Sequence, residues 1–240
     1  MELQGKVAIL TGVGGDGQIG QAVARALAEE GANLILVARN AERLQARADE
    51  VKGLGHEVLA VPADLTREED VDRVVRQALD RFGRIDILVN LAGGLTKYKG
   101  IEEHTLDDWN SEVGNNLLSA FLLSRAAFGP MREGGGGRII NFARAGQPQA
   151  KMAAYNCAKA AVEALTRTLA LEGRKHNITA NAVAPGLVDT KSNVDGMKPK
   201  PEDLARWPTR EQIAAVVTFL ASDAAAGISG QVIAVQGKTL

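Results

Sequence analysis

The stretch Val7-Ala8-Ile9-Leu10-Thr11-Gly12-Val13-Gly14-Gly15-Asp16-Gly17-Gln18-Ile19-Gly20 decides the fold of this chain. Its first four residues form a short apolar run typical of a buried strand, and residues 21–30 form an amphipathic segment typical of a helix. Glycines between a strand and a helix let the backbone turn sharply and approach a pyrophosphate, which rests on the helix N-terminus. The position of this turn, after the first strand, therefore predicts a nucleotide-binding site.

Short apolar runs of the same kind recur along the chain and alternate with amphipathic segments. The further strand-like runs are residues 34–37, 58–61, 85–89, 139–142, 178–183 and 232–235. The further helix-like segments are residues 41–54, 68–82, 106–131, 153–175 and 210–222. Continuously apolar strands are buried on both faces, and strict alternation with helices implies right-handed βαβ units. We predict one α/β domain, residues 1–240, with a Rossmann-type doubly wound parallel sheet of about seven strands and helices on both faces.

Composition excludes several classes of protein. The 28 basic and 29 acidic residues give a net charge of −1, so there is no basic excess for nucleic acid or anionic lipid. The single cysteine, Cys157, rules out an intrachain disulfide, and helical phase predicts that it is a buried packing residue. The N-terminus is polar, and the apolar run after it is too short for a signal peptide or a membrane span. We expect a soluble cytoplasmic protein with no nucleic-acid or membrane partner.

Two side chains four residues apart predict proton-transfer chemistry. Tyr155 and Lys159 lie in a segment that reads as a helix, so both side chains project from one face. An ammonium beside a phenol favours the phenolate, so we expect the pKa of Tyr155 to be lowered and the tyrosine to exchange a proton near neutral pH. The histidines are scattered, with no cysteine or carboxylate at ligand spacing, and we predict no metal site.

Motifs along nearly the whole chain resemble those of the short-chain dehydrogenase/reductase family. Besides the first turn and Tyr-x-x-x-Lys, these are Asp64-Leu65, Asn90-Leu91-Ala92-Gly93, Asn116 between Trp109 and Phe121, Pro185-Gly186-Leu187-Val188-Asp189-Thr190, and Ser229-Gly230-Gln231-Val232. The first turn departs from the family pattern, because it is two residues longer and carries Gln18 where the family has its middle glycine.

The resemblance implies a nicotinamide cofactor and assigns residues to it. The implied cofactor-binding residues are Gly12, Gly14, Gln18, Ile19, Gly20, Arg39, Asp64, Leu65, Asn90, Ala92, Gly93, Tyr155, Lys159, Pro185, Gly186, Val188 and Thr190. NAD-dependent members carry an acidic residue at the end of the second strand, where this chain has Ala38 followed by Arg39. A guanidinium without a carboxylate suits a ribose 2′-phosphate and favours NADPH, although Asp16 in the glycine turn argues against it.

The resemblance also implies catalytic roles for Tyr155, Lys159 and Asn116. In the family, tyrosine delivers the proton, lysine binds the nicotinamide ribose, and the helix asparagine holds a water of the proton relay. The family's catalytic serine is replaced by Ala143 and Arg144, which we assign with Gln149 to the substrate side. The loss of one donor would weaken an enzyme without abolishing it. Alternatively Arg144 supplies the donor, or it points to solvent, or the substrate needs no donor.

Three functions remain open on the sequence. The first is NADPH-dependent reduction of a carbonyl, such as a ketone, a quinone or a 3-oxoacyl compound. The second is reduction of a C=N bond, because quinonoid dihydropteridine reductases also keep Tyr-x-x-x-Lys without the serine. The third is a catalytically weak nucleotide-binding subunit that acts in assembly or sensing. The resemblance further implies a homotetramer or a dimer, and residues 191–208 are expected to be a mobile lid over the substrate.

Overall fold

A single seven-stranded sheet organises the part of the chain that the structure, a computed structural model, describes, namely residues 1–54 and 56–238. Its strands are β1 (Val7–Thr11), β2 (Asn33–Ala38), β3 (Val58–Pro62), β4 (Ile87–Asn90), β5 (Gly137–Phe142), β6 (Ile178–Pro185) and β7 (Val232–Val235). Their order is β3-β2-β1-β4-β5-β6-β7, and every neighbouring pair is parallel. The predicted doubly wound parallel sheet is confirmed.

Helices cover both faces of this sheet. They are α1 (Ile19–Glu29), α2 (Ala41–Lys52), α3 (Glu68–Phe82), α4 (Leu106–Val113), α5 (Ser119–Glu133), α6 (Ala153–Gly173), α7 (Lys191–Met197), α8 (Pro201–Leu204) and α9 (Arg210–Ala221). Helices α1, α2 and α9 pack into one apolar core, and α3, α5 and α6 pack into the other. Strand β1 shows why its run is apolar throughout, since Ala8 and Leu10 face the first core while Val7 and Ile9 face the second.

The helix predicted over residues 106–131 is interrupted. A π-helical turn, Gly114–Leu118, separates α4 from α5. Such turns insert an extra residue into a helix and often lie at functional sites. Sequence periodicity does not reveal it, because the apolar pattern continues on both sides. Here the interruption falls around Asn116, one of the residues implied to be catalytic.

Residues 191–208 are more regular than a loop. They contain α7 and α8, and the Thr190 side chain caps α7 by accepting a hydrogen bond from the Asn193 backbone N–H. The segment follows the carboxyl end of β6 and contains two short helices. That it covers a substrate as a mobile lid stays a prediction. Within the described residues, no helix combines the length and apolar character that crossing a membrane requires.

Candidate active site

The order of the strands reverses between β1 and β4, and the crevice that follows their carboxyl ends is the candidate site. Thr11, the last residue of β1, holds the two strand ends together. Its hydroxyl donates to the Val89 carbonyl at 3.3 Å and accepts from the N–H groups of Leu91 and Ala92, each at 2.9 Å. The backbone at the mouth of the crevice is thereby fixed.

The glycine turn after β1 packs tightly, against the segment after β4 and against the start of α1. A Cβ on Gly12, whose φ is +78°, would lie 2.9 Å from Leu91 Cδ2, and one on Gly20 would lie 2.5 Å from the Gly12 carbonyl oxygen. Neither position has room for a side chain, so both glycines are required for α1 to begin directly against the turn.

The Gln18 side chain packs against the glycine turn, since a Cβ on Gly15 would lie 2.4 Å from its Cγ. Gln18 precedes α1 in an extended conformation, and its side chain caps no helix N–H. Instead, the side-chain oxygen accepts a hydrogen bond from the Ser192 hydroxyl at 3.1 Å. The α1 N-terminus, with Ile19 as its first residue, thus keeps N–H groups for an anion, as a pyrophosphate site requires.

A cavity of about 310 Å³ opens on the β2–β3 side of the turn. Five residues predicted to bind the cofactor line it: Gly14, Asp64, Leu65, Ala92 and Gly93. Two guanidinium side chains, Arg39 and the unpredicted Arg43, also lie on its wall.

Asp16, the carboxylate that argues against a 2′-phosphate, is ion-paired with other side chains. Asp16 forms ion pairs with Arg47 at 2.9 Å and with Lys191 at 3.4 Å. The hydrogen bond from Arg47, followed by the one from Lys191, lowers the pKa of Asp16. Its charge is therefore compensated locally by two cations.

A second cavity, of about 1140 Å³, lies on the β5–β6 side and meets the first at Gly12, Gly93 and Gly94. Residues predicted to bind cofactor or substrate line it: Gln18, Ile19, Ala143, Arg144, Gln149, Tyr155, Lys159, Pro185, Gly186, Val188 and Thr190. The crevice thus joins a small basic compartment to a large one that contains the Tyr-x-x-x-Lys pair.

Lys159 is buried at the base of the large cavity. Its ammonium donates to the Phe142 carbonyl at 2.8 Å and lies 5.7 Å from the centre of the Tyr155 ring. Burial lowers the pKa of Lys159 to about 8, against a raising effect of the Glu112 carboxylate.

The expected lowering of the Tyr155 pKa is wrong. Burial raises that pKa, the positive charge of Arg144 lowers it, and the Glu112 carboxylate raises it. The charge that lowers the Tyr155 pKa is that of Arg144, and not that of Lys159. At neutral pH the pair therefore consists of a protonated phenol beside a largely protonated amine.

Ala143 and Arg144, which the family resemblance aligns with the catalytic serine, lie at the cavity wall. Ala143 is buried there, and Arg144 is half-buried, with Nη1 donating to the Gln147 carbonyl at 2.7 Å. The hydroxyl groups on this wall come from Tyr98, Tyr155, Thr190 and Ser192. Tyr98 and Met197 are further wall residues that the sequence analysis did not single out.

Three predicted residues, Gly20, Asn90 and Asn116, line neither cavity. Asn90 is buried, and its amide donates to Ser124 Oγ and to Asn141 Oδ1, each at 2.9 Å, in a network that joins β4, β5 and α5. Gly20 likewise acts through packing against the turn. Asn90 and Gly20 support the crevice through these contacts, and their binding of a cofactor stays a prediction.

Asn116 is buried in the π-helical turn, and its side chain is fully engaged. Its Oδ1 accepts from the Gly94 N–H at 2.8 Å, and its Nδ2 donates to the Gly94 carbonyl at 3.1 Å and to Glu112 Oε2 at 3.2 Å. A Cβ on Gly93 would lie 2.5 Å from Asn116 Oδ1, so glycine is needed for this approach.

Glu112 is the residue that sequence reasoning missed. A sequence signal existed, because Asp108, Glu112 and Asn116 repeat every four residues and so share one helix face, which the structure buries. Cys157, in contrast, was predicted to be buried and is exposed. Within residues 1–54 and 56–238, no group of histidine, cysteine, aspartate or glutamate side chains could hold a metal ion.

The chain matches the protein family described as "Enoyl-(Acyl carrier protein) reductase" over residues 12–237. It is 38% identical over 245 residues to (2S)-[(R)-hydroxy(phenyl)methyl]succinyl-CoA dehydrogenase subunit BbsD of Thauera aromatica, covering 99% of this chain and 97% of the relative.

Solved structures of dehydrogenases share the fold over the whole crevice. One is a 7α-hydroxysteroid dehydrogenase complexed with NADH and 7-oxo glycochenodeoxycholic acid, at a TM-score of 0.90 and 31% identity over 98% of this chain and 94% of that one. Another is NAD⁺-bound xylitol dehydrogenase, at a TM-score of 0.91 and 30% identity over 99% of this chain and 100% of that one. The chain is a member of the short-chain dehydrogenase/reductase family, and hence an oxidoreductase of a family that binds NAD(P).

Proposed function

We propose that this protein is an NADPH-dependent reductase of a carbonyl compound, of the ketone, quinone or 3-oxoacyl type. The observation that carries the proposal is the Tyr155 hydroxyl at the wall of the large cavity, with the Lys159 ammonium buried beside it and held by the Phe142 carbonyl. The names of the relatives support the substrate class, since they describe dehydrogenases of hydroxyl or oxo compounds.

Tyr155 is the proton donor in this proposal. When bound, the reduced cofactor supplies a hydride to the carbonyl carbon. Tyr155 gives its proton to the carbonyl oxygen, so that an alcohol forms and a phenolate remains on the enzyme. Burial favours the protonated phenol before reaction, which suits the reductive direction. Lys159, largely protonated at neutral pH and held by the Phe142 carbonyl, stabilises the phenolate as it forms and returns a proton to it.

Arg144 takes the place of the absent serine as the donor to the substrate oxygen. It lies on the same cavity wall as Tyr155, and it is close enough for its charge to lower the Tyr155 pKa. A guanidinium stabilises developing negative charge and also favours an anionic or strongly polar substrate. Gln149, at the outer part of the same wall, is proposed to contact the substrate beyond the carbonyl.

The preference for NADPH rests on charge in the small cavity. Arg39 and Arg43 line the small cavity. Strand β2 ends there at Ala38, where NAD-dependent members of the family carry an acidic residue. Asp16 is neutralised by Arg47 and Lys191, so it does not compete for these guanidinium groups. Two free guanidinium groups suit a 2′-phosphate, which would accept charge-assisted hydrogen bonds from both.

We further propose that residues 1–240 form one domain that assembles as a homotetramer or a dimer in the cytoplasm. All described strands belong to one sheet, which supports a single domain. Trp109, Leu118 and Phe121, on α4 and at the start of α5, are about two-fifths exposed, and such apolar exposure is typical of a surface that another subunit covers.

The experiment that tests this function is NADPH consumption by the purified protein against ketones, quinones, 3-oxoacyl thioesters and a quinonoid dihydropterin. Turnover of a carbonyl compound with NADPH in preference to NADH is the expected result. Preference for the dihydropterin would instead favour C=N reduction. NADPH binding without reduction of any compound would contradict the proposal and favour the nucleotide-binding subunit.

A further inference from the structure

Glu112 is a fully buried carboxylate beside the active site that the proposed mechanism does not use. Its side chain projects from α4 and has no solvent exposure. Oε1 accepts hydrogen bonds from the backbone N–H and the hydroxyl of Thr96, at 2.6 and 2.5 Å, and Oε2 accepts from Asn116 Nδ2 at 3.2 Å. These donors are all neutral. A buried carboxylate with neutral partners is costly, so its presence needs a reason beyond packing.

The hydrogen bonds of Glu112 join the segments that form the cavity wall. Thr96 belongs to the segment after β4 and lines the small cavity, while Gly94 lines both cavities. Asn116 bonds Gly94 through both side-chain atoms, and its Nδ2 also donates to Glu112, to the backbone carbonyl at 2.9 Å and to the carboxylate Oε2 at 3.2 Å. Glu112 therefore fixes Asn116 and the wall of the crevice at the same time.

The charge of Glu112 also reaches the proton-transfer pair. A negative charge disfavours ionisation of a nearby phenol and favours a nearby ammonium, and Glu112 raises the pKa of both Tyr155 and Lys159 accordingly. The opposing charge on Tyr155 is Arg144, from the segment after β5. The other buried carboxylate of α4, Asp108, is ion-paired with Lys97 and Lys99 and does not take part in this balance.

We propose that Glu112 is a positioning residue of the active site, whose carboxylate orients Asn116 and the wall at Gly94 and Thr96 and whose charge acts on the Tyr155–Lys159 pair. This inference rests on the proposed function for its role in turnover, but not for its electrostatic effect.

The chain offers a direct readout of that effect, because it contains only two tyrosines, Tyr98 and Tyr155. In a Tyr98→Phe background, tyrosinate absorbance during a pH titration reports Tyr155 alone, without substrate or cofactor. Glu112→Gln removes the charge and keeps the size of the side chain. We expect its tyrosine titration to shift to lower pH. The alkaline limb of kcat/KM for NADPH-dependent reduction should shift in the same direction, because reduction needs protonated Tyr155.

Matched variants distinguish the effect of the Glu112 charge on the titration from an effect of the substitution on folding. Glu112→Asp keeps the charge and should leave the titration near that of the parent. Asp108→Asn removes a buried carboxylate one helical turn earlier and should not move it. If Glu112→Gln does not fold, Glu112→Met, which needs no hydrogen bonds, should give the same shift to lower pH. Far-ultraviolet circular dichroism at each pH identifies the range in which the fold is intact.

A Glu112→Gln titration that superimposes on the parent, or an equal shift in Asp108→Asn, would overturn the inference. A shifted titration in a protein that reduces no substrate would sustain the electrostatic effect of Glu112 and refute the proposed function. An unshifted titration in an active reductase would refute the inference alone.

Discussion

Two charges of opposite sign act on the Tyr155 hydroxyl, and they come from different segments of the chain. Arg144 favours the phenolate, whereas Glu112 and burial favour the phenol. Since burial is the largest effect, the tyrosine remains an acid until an alkaline pH is reached. The catalytic direction that this residue serves best is therefore proton donation.

Replacement of Arg144 by glutamine should lower kcat/KM for the preferred substrate by about 10²–10³-fold, the usual loss on removing one oxyanion donor. It should also move the alkaline limb of the reductive reaction to higher pH, because the charge that lowers the Tyr155 pKa is removed. Steady-state kinetics across pH checks both effects. Arg144→Lys, which retains the charge, should keep the limb in place. A fully active Arg144→Gln would mean that the arginine points to solvent.

Arg39 should determine the choice between the two nicotinamide cofactors. Arg39→Ala is expected to weaken NADPH binding by about 10–100-fold, the equivalent of a charge-assisted hydrogen bond of about 1.5–3 kcal/mol, with little effect on NADH. Fluorescence titration with both cofactors measures this difference. Arg25→Ala, which removes an exposed arginine paired with Glu29, is the control and should change neither affinity. Equal loss of both affinities would contradict a 2′-phosphate contact.

At the scale of single elements, the sequence predicts some helices well and misses others for identifiable reasons. The range 68–82 agrees with α3, because acidic residues begin it and Gly83, in the left-handed conformation, ends it. The π-helical turn after α4 is missed, because it changes the hydrogen-bond register without changing the apolar pattern. Helices α7 and α8 are missed because the segment that contains them has several prolines and little apolar periodicity.

The segment after β4 should be intolerant of a side chain at Gly93. Gly93→Ala would place a Cβ 2.5 Å from Asn116 Oδ1 in a residue with φ of +130°. We expect a loss of at least about 1–3 kcal/mol in the free energy of unfolding, together with a large loss of turnover, because Asn116 must move. Gly196→Ala is the matched control. That glycine lies inside α7 with no neighbour near the added methyl group, so the variant should be about 0.5–1 kcal/mol more stable.

Chemical denaturation of the two glycine variants measures these differences in one experiment. Equal stability of Gly93→Ala and the wild-type protein would show that Asn116 can adopt another position.

For the whole molecule, the fold was predictable because alternation of apolar runs with amphipathic segments leaves few topologies. The crevice follows from strand order, and the glycine turn, Tyr155 and Lys159, which the sequence singles out, line its cavities. The pKa of Tyr155 was not predictable, since it depends on burial and on Glu112, which is 43 residues away in sequence. The Tyr-x-x-x-Lys motif identifies the two side chains that meet, but their pKa values depend on burial and on charges from other segments.

The exposed apolar surface of α4 and α5 should contribute to assembly. Phe121→Glu is expected to reduce the molar mass in solution from that of the oligomer, because it places a charge in the proposed contact. Light scattering after size-exclusion chromatography measures the mass. Leu54→Glu, at an exposed leucine beyond α2, should leave it unchanged. An unaltered mass for Phe121→Glu would remove this surface from the interface.

The most direct test of the central claim is single-turnover reduction by Tyr155→Phe at saturating NADPH. We expect a fall of about 10²–10⁴-fold in the rate of reduction, as is usual for loss of a general acid, with NADPH binding retained. Cys157→Ser, at an exposed position on the same helix, should react at the wild-type rate. A Tyr155→Phe rate equal to that of the wild-type enzyme would contradict proton donation by Tyr155, and with it the proposed mechanism.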